Sequence, residues 1–301
     1  MLDALSWFFV NLWSGITGIF IALGNLAAWT NWEEDKQSLM RFIYYGASVE
    51  LFFAVTVIML ILLVIGLFFR PFLWGVVRTI EFGQNWIGRI FAYAGLLMVL
   101  QQVMIVFLQR IFREAAITVG IPDTPFQFTR DISWWSEELK LYNAMIVALC
   151  VGYTFVQGGH VRVDLFYAGI KFRTKKIVDM IGSLFFLMPL TVIVWLFAWF
   201  FMWRNLVTPP VAPTDTLDRL MTKARALRWN VETIGFSPNG FDQYWMFKVL
   251  ILSFAGLMFL MAWSFFYRSL LEYIEGPASA DKYLDKDRIG DEIAETAAEI
   301  H

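Results

Sequence analysis

Five long apolar runs that carry almost no charge constrain this chain more than any other feature of its sequence. Each run has about the 20 residues that a helix needs to cross about 30 Å of hydrocarbon, where every backbone amide must be bonded internally. The runs occupy residues 51–69, 90–108, 141–157, 180–203 and 249–267. Hydrophobic residues make up 58% of the 301 residues, with 30 Phe and 14 Trp, which is more than a water-soluble domain of this size buries. The sequence therefore predicts an all-α, polytopic integral membrane protein.

A sixth segment, residues 4–29, is uncharged but less apolar than the other five. It carries the polar residues Ser6, Asn11, Ser14, Thr17 and Asn25. Such a segment either spans the membrane or lies along its surface. We expect it to span.

The distribution of Lys and Arg predicts the orientation of the chain. The loop at 158–179 carries Arg162, Lys171, Arg173, Lys175 and Lys176, and the predicted loop at 70–89 carries Arg70, Arg78 and Arg89. Both are therefore expected on the cytoplasmic side. With six spans both termini are cytoplasmic, and segments 30–50, 109–140 and 204–248 face outward. Segment 204–248 is itself basic although it is expected to face outward. The charge rule applies less to long loops, which accounts for this exception only in part.

Two segments outside the apolar runs have a pattern of their own. After TPPVAP, residues 208–213, apolar positions recur three and four residues apart, which predicts a helix on the membrane surface. These positions are Leu217, Leu220, Met221, Ala224 and Leu227. The tail after Gly276 is rich in Asp, Glu and Ala, which predicts a solvated, partly disordered end.

Tryptophans cluster at the edges of the apolar runs. They are Trp7, Trp13, Trp29, Trp32, Trp74, Trp86, Trp134, Trp135, Trp199, Trp203, Trp245 and Trp263. Indole rings are enriched at the depth of the lipid headgroups, so this pattern predicts ordinary interfacial anchors.

The apolar runs lack the residues that membrane chemistry uses. They contain no ionisable side chain of the kind that marks ion pathways and proton relays. Histidine occurs only at His160 and His301, which excludes a bis-histidine haem between helices and leaves too few ligands for zinc. The single cysteine, Cys150, cannot form an intramolecular disulfide. No catalytic, cofactor or metal residue is therefore expected, and a net charge of −2 argues against nucleic acid.

The stretch QGGHVRVDLFY at 157–167 contains more chemistry than a simple turn requires. Gly158 and Gly159 are expected to end a helix, because glycine accepts the left-handed conformation found there. Asp164 is placed to cap a short following helix. Arg162 either pairs with Asp164 or binds a lipid phosphate, and KFRTKK at 171–176 would hold the loop at an anionic leaflet.

This loop follows a helix that begins WSEEL, residues 135–139, and RIF at 110–112 ends the preceding run. With these motifs the chain resembles the small membrane subunit of tripartite ATP-independent periplasmic (TRAP) transporters, the DctQ-type family. The loop together with W-x-E-E-L is fairly specific, whereas either motif alone is weak. The residues that match the family motif are Arg110, Trp135, Glu138, Gly158, Gly159, His160, Arg162 and Asp164.

The resemblance implies a four-span core at 88–270, after an N-terminal extension at 1–87 with one or two membrane helices and before a polar cytoplasmic tail at 271–301. It implies a non-catalytic subunit that holds a large DctM-type transport subunit in the bacterial inner membrane. A periplasmic binding protein would deliver an organic acid, with a carboxylate expected, for sodium-coupled uptake. The lipids of that membrane are the remaining partner.

Two further interpretations stay open at the level of sequence. Glu137 and Glu138 are expected to stabilise a helix start that Ser133 or Ser136 caps, whereas Arg162 and Asp164 are expected to fix the hairpin and its docking to the large subunit. The main competing function is a membrane anchor of a respiratory or other enzyme complex, although the spans lack the histidines that haem needs. A self-sufficient channel would require intramembrane charge or broken helices.

Overall fold

The computed structural model describes residues 2–32, 35–121, 127–158, 169–222, 226–228, 239–280 and 282–285. Helices dominate these residues, and six are long and apolar enough to cross a membrane. They cover Ser6–Gly24, Val49–Phe68, Arg70–Phe112, Ile132–Val156, Phe172–Leu206 and Trp245–Glu275. This confirms the all-α membrane class, and within the weakest predicted segment, residues 4–29, it shows a helix of spanning length that ends at Gly24.

The N-terminal part consists of α1 (Leu2–Gly24), α2 (Ala27–Thr30), α3 (Lys36–Tyr45) and α4 (Val49–Phe68). Asp35 caps α3 by accepting from Gln37 N, and Ser48 caps α4 by accepting from Leu51 N. Helix α1 packs on α4. Their contact requires a small residue, because a Cβ at Gly15 would lie 3.0 Å from the carbonyl carbon of Phe53.

The predicted loop at 70–89 is wrong, because these residues form the first half of α5 (Arg70–Phe107), a continuous helix of 38 residues. Pro71 is tolerated because it occupies the first turn, where its missing amide is not needed. Buried residues then recur three and four apart, as one helical face requires. They are Leu73, Trp74, Val77, Glu81, Gln84, Asn85 and Gly88. The helix runs through the predicted start of the family-like core at residue 88.

Helix α5 ends in a π-helical turn, Leu108–Phe112, and a hairpin follows. Strands β1 (Ala116–Val119) and β2 (Phe128–Asp131) pair antiparallel, with Ala116 opposite Asp131. The hairpin leads directly into α6 (Ile132–Leu149) and α7 (Val151–Val156). It therefore fixes where the WSEEL helix begins.

The remaining helices are α8 (Phe172–Gly182), α9 (Met188–Leu206), α10 (Leu217–Thr222) and α11 (Trp245–Glu275), with a π-helical turn at Ser183–Leu187 joining α8 to α9. Helix α10 confirms helical structure in the first part of this segment, and its Leu220 is buried in a cluster with Leu39 of α3. The prediction is wrong for Leu227. That residue belongs to β4 (Ala226–Leu227), which pairs with β3 (Val207–Thr208).

Five of the predicted tryptophan anchors are wrong, because the rings are buried between helices. They are Trp74, Trp134, Trp199, Trp203 and Trp263. The indole nitrogens of Trp74, Trp134 and Trp199 also join elements, as when Trp199 Nε1 donates to Ile43 O at 2.8 Å. Trp7, Trp13 and Trp86 are exposed on the helix surfaces, as anchors are.

Candidate functional site

The W-x-E-E-L motif contributes to a hydrogen-bonded cluster at the start of α6, here called the α6 cluster: Gln101, Trp135, Glu137, Glu138 and Phe241. The buried amide Gln101 Nε2 donates to Trp135 O and to Glu138 Oε2, both at 3.0 Å. The structure thus brings two motif residues, Trp135 and Glu138, to one side chain of α5. An amide that bonds both a carbonyl and a carboxylate fixes the rotation of α6 against α5.

Glu137 reaches in another direction and holds the segment before α11. Its Oε2 accepts from Phe241 N at 2.9 Å, and a Cβ at Gly240 would lie 2.3 Å from the same oxygen. Tyr244 lies beside it, and burial, followed by the Glu137 carboxylate, raises the pKa of that phenol above 10.0. Trp134 Nε1 adds a bond of 3.0 Å to Asp242 Oδ1. The α6 cluster therefore ties three chain segments together.

The predicted serine cap of α6 is wrong. Ser133 Oγ donates to Asn239 O and Ser136 Oγ to Ile132 O, and Asp131 at the helix start makes no side-chain cap bond. The hairpin register, in which Ile132 N donates to Ala115 O, determines the start of the helix instead. Glu137 and Glu138 consequently bond to neighbouring segments.

A second polar group, here called the ion network, consists of Glu81, Lys176, Arg268 and Glu272. Arg268 binds Glu81 through two hydrogen bonds, Nε to Oε1 at 2.8 Å and Nη2 to Oε2 at 2.5 Å. Both residues are buried, at 7% and 2% exposure. One turn on, Glu272 lies 3.7 Å from Arg268 Nη1 and pairs with Lys176. The network joins α5, α8 and α11.

Burial of these charges costs several kcal/mol per ion, so the pair depends on good geometry. The two parallel bonds supply it, because a guanidinium and a carboxylate match as planar forks. Trp74 adds a cation–π contact, with its ring centre 5.4 Å from Arg268 Cζ. Trp74 Nε1 also donates to Glu275 Oε1 at 3.0 Å. This part of the bundle is consequently held in one arrangement.

Sequence reasoning missed the ion network for two specific reasons. The apolar run 249–267 stops one residue before Arg268, and Glu81 was assigned to a loop. A signal was present, since Glu81 continues the spacing of Leu73 and Val77 along α5. The contacts bring Trp74, Glu81 and Lys176 to the end of α11, and the charge pattern assigned the segments of all four to the same side.

The tail turns back onto the helices directly after α11, so the predicted disordered end is wrong for residues 276–280 and 282–285, here called the tail strap. Gly276 makes the turn with φ +86°. Asn85 Nδ2 donates to Asp285 O at 2.8 Å, and Gln157 Nε2 donates to the same oxygen at 2.9 Å. Arg268 Nη1 donates to Lys282 O at 2.9 Å. The strap thus joins α5, α11 and the residue that follows α7.

The glycine-rich motif begins beside this strap. Gly158 has φ +75° and its amide bonds to Phe155 O, which confirms it as the left-handed end of the helix. Gly159, His160, Arg162 and Asp164 lie outside the described residues. Arg110 is exposed in the π-helical turn, takes no part in the α6 cluster and forms no ion pair within the described residues.

The described residues contain no group of three or more His, Cys, Asp or Glu side chains that could hold a metal ion. The charges of the ion network are paired with one another, an arrangement that joins helices. No protein-family model, curated protein or solved structure matches this chain. Its likeness to the DctQ-type family therefore rests on the motif residues.

Proposed function

We propose that this chain is the small, non-catalytic membrane subunit of a sodium-coupled TRAP transporter in a bacterial inner membrane. It stabilises a large DctM-type subunit, which takes up an organic acid that a periplasmic protein delivers. The observation that carries the proposal is the combination of W-x-E-E-L with GGH-x-R-x-D. Trp135 and Glu138 of the first motif are fixed by Gln101 in the first turns of α6, and Gly158 begins the second motif after α7.

The buried charges support a scaffold rather than a carrier. A carrier for a carboxylate and sodium needs charged or polar groups free to bind them within the membrane. Glu81, Arg268 and Glu272 instead satisfy one another and Lys176. Breaking these pairs during a transport cycle would expose buried charge at a cost of several kcal/mol. These helices are therefore suited to stay still while a partner moves.

The test is a pull-down of the tagged chain from its native membrane in mild detergent, with mass spectrometry of what accompanies it. We expect a much larger polytopic membrane protein, with a soluble periplasmic protein held more loosely. Reconstitution of all three should then give sodium-dependent uptake of an organic acid.

Two other results would overturn the proposal. Recovery of a haem protein or flavoprotein would favour the membrane-anchor function, and a stable homo-oligomer with no partner would favour a pore. A Gln101→Leu variant is a useful companion, because it removes the amide that orients Trp135 and Glu138. It should lower partner recovery, whereas Gln102→Leu, at the neighbouring exposed position, should not.

A further inference from the structure

A cleft of about 680 Å³ opens between α4, α9 and α11, away from both polar clusters. Apart from the turn at 46–48, its walls come from five of the six membrane-length helices. Its floor is α11, where Ala255 is fully buried and Gly256 lies against Trp195. One end lies at Gly46 and Ser48, where α4 begins.

The lining of the cleft is apolar, and its few polar groups are already bonded. Its hydroxyls belong to Ser48, Thr191 and Ser253, which donate to Tyr45 O, Met188 O and Val249 O at 2.8–2.9 Å. The Trp195 indole donates to Gly46 O. No charged residue is among the described residues that line the cleft. Its chemistry therefore selects an apolar occupant, and apolar cavities do not hold ordered water.

The volume of the cleft is small beside that of a transmembrane helix. A helix about 10 Å across fills roughly 120 Å³ per residue, so the cleft would hold only about six of the roughly 20 residues of a span. A volume of this size is instead in the range of small-molecule sites, about 300–1,000 Å³. At membrane depth, the abundant thin apolar molecules are lipid chains.

We propose that the cleft binds one acyl chain of a membrane phospholipid, which enters from the α3–α4 turn and lies between α4 and the α9–α11 pair. The chain fills the gap that the protein leaves between its N-terminal helices and the rest of the bundle. Beyond it, direct packing resumes, since Tyr267 donates to Met59 O at 2.7 Å. This inference does not depend on the proposed function.

The experiment uses the full chain in nanodiscs of phosphatidylcholine that contain a fraction of lipid with a diazirine in one acyl chain. After photolysis, peptide mass spectrometry locates the label. We expect it to be concentrated on the residues that line the cleft, such as Leu51, Val55, Val192, Leu196 and Leu260. Equal labelling of all exposed helix faces would refute a bound chain.

Variants that fill the cleft make the test specific. Val55→Trp and Val192→Trp project bulk into it, whereas Val64→Trp and Ile193→Trp add the same bulk at exposed positions of the same helices outside the lining. The filling variants should lower cleft labelling by about tenfold, because the added ring occupies the space that the acyl chain needs. The control variants should leave it unchanged.

A loss of labelling that is equal in the filling and the control variants would contradict the proposal. Size-exclusion profiles establish that the variants fold, and the labelling map of the unmodified chain decides the matter if they do not.

Discussion

At the scale of single residues, Arg268 joins several parts of the fold, a role that the charge pattern of the sequence did not predict. It binds Glu81 through two hydrogen bonds, lies over Trp74 and donates to Lys282 O. Arg268→Met should lower the free energy of unfolding by about 3–5 kcal/mol, because Glu81 is left buried without its partner. Denaturant titration in detergent micelles measures the loss.

The double variant Glu81→Leu/Arg268→Met removes both charges and should recover much of that loss. Arg89→Met is the matched control in the same region, since the Arg89–Asp285 pair is at least one-third exposed and is worth at most about 1 kcal/mol. If the double variant were as unstable as the single one, packing rather than the unpaired charge would be the cause.

The second prediction at this scale concerns Arg162 and Asp164 of the glycine-rich motif. Replacing both with alanine should reduce uptake because less complex assembles, since these charges are proposed to fix the docking loop. Uptake assays and partner recovery must be measured on the same membranes. Normal assembly with abolished uptake would instead assign the two residues a direct part in transport.

What the sequence predicts about single residues depends on whether the partner is local. The left-handed Gly158 was predictable because a glycine pair after an apolar run acts within its own turn. The partner of Glu138 was not, because Gln101 belongs to a different helix 37 positions away. The serine cap failed for a related reason, as Ser133 bonds to Asn239 across the fold.

At the scale of elements, α5 offers a test of how closely the helices pack. Gly88 has no room for a side chain, because a Cβ would lie 2.2 Å from Tyr153 Cβ. Gly88→Ala should lower the free energy of unfolding by about 1–3 kcal/mol through overpacking. In Gly75→Ala, on the same helix, the new Cβ meets nothing within 4 Å, and the change should stabilise by about 0.5–1 kcal/mol.

Thermal unfolding of both glycine variants in one detergent provides the comparison. A loss at Gly75 as large as that at Gly88 would mean that glycine is needed in α5 for flexibility and not for close packing. The expected opposite signs would show that α7 approaches α5 closely because Gly88 has no side chain.

Helix existence was predictable from hydropathy, but helix length was not. Apolar runs identify the portion of a helix that lipid surrounds, whereas one face of the first half of α5 is covered by protein and carries Glu81, Gln84 and Asn85. Such polar residues predict a loop if every helix is assumed to be surrounded by lipid alone. Their spacing of three and four is the signal that identifies a helix packed on α11.

At the scale of the whole molecule, the tail strap holds the end of the bundle where the glycine-rich motif begins. Truncation after Glu275 removes the Asp285 carbonyl that Asn85 and Gln157 share, and it should lower Tm by several degrees, since the buried amide of Asn85 costs about 1–3 kcal/mol when it loses its bond. Truncation after Asp285 retains every described strap contact and is the control. Equal Tm values for the two would show that the strap does not stabilise the fold.

The N-terminal helices give the last prediction. Deleting residues 1–70 should weaken recovery of the large subunit, because this region adds membrane surface beyond the family-like core. The deletion also removes Met59, which accepts from Tyr267, so fold must be checked by size exclusion. Deleting residues 1–30 keeps α3 and α4 and separates the two effects. If the large subunit copurified undiminished with both deletion variants, residues 1–70 would have no role in assembly.

The spacing of the ion network along the chain has a consequence for biosynthesis. Glu81 and Arg268 are 187 positions apart, so at about 5–20 residues per second the carboxylate waits roughly 10–40 s for its guanidinium to leave the ribosome. During that time the first helices have already reached the translocon. Until α11 is inserted, an ionised Glu81 is more stable where it remains hydrated, at the boundary between lipid and water. It becomes buried only when Arg268 of the last helix is present to pair with it.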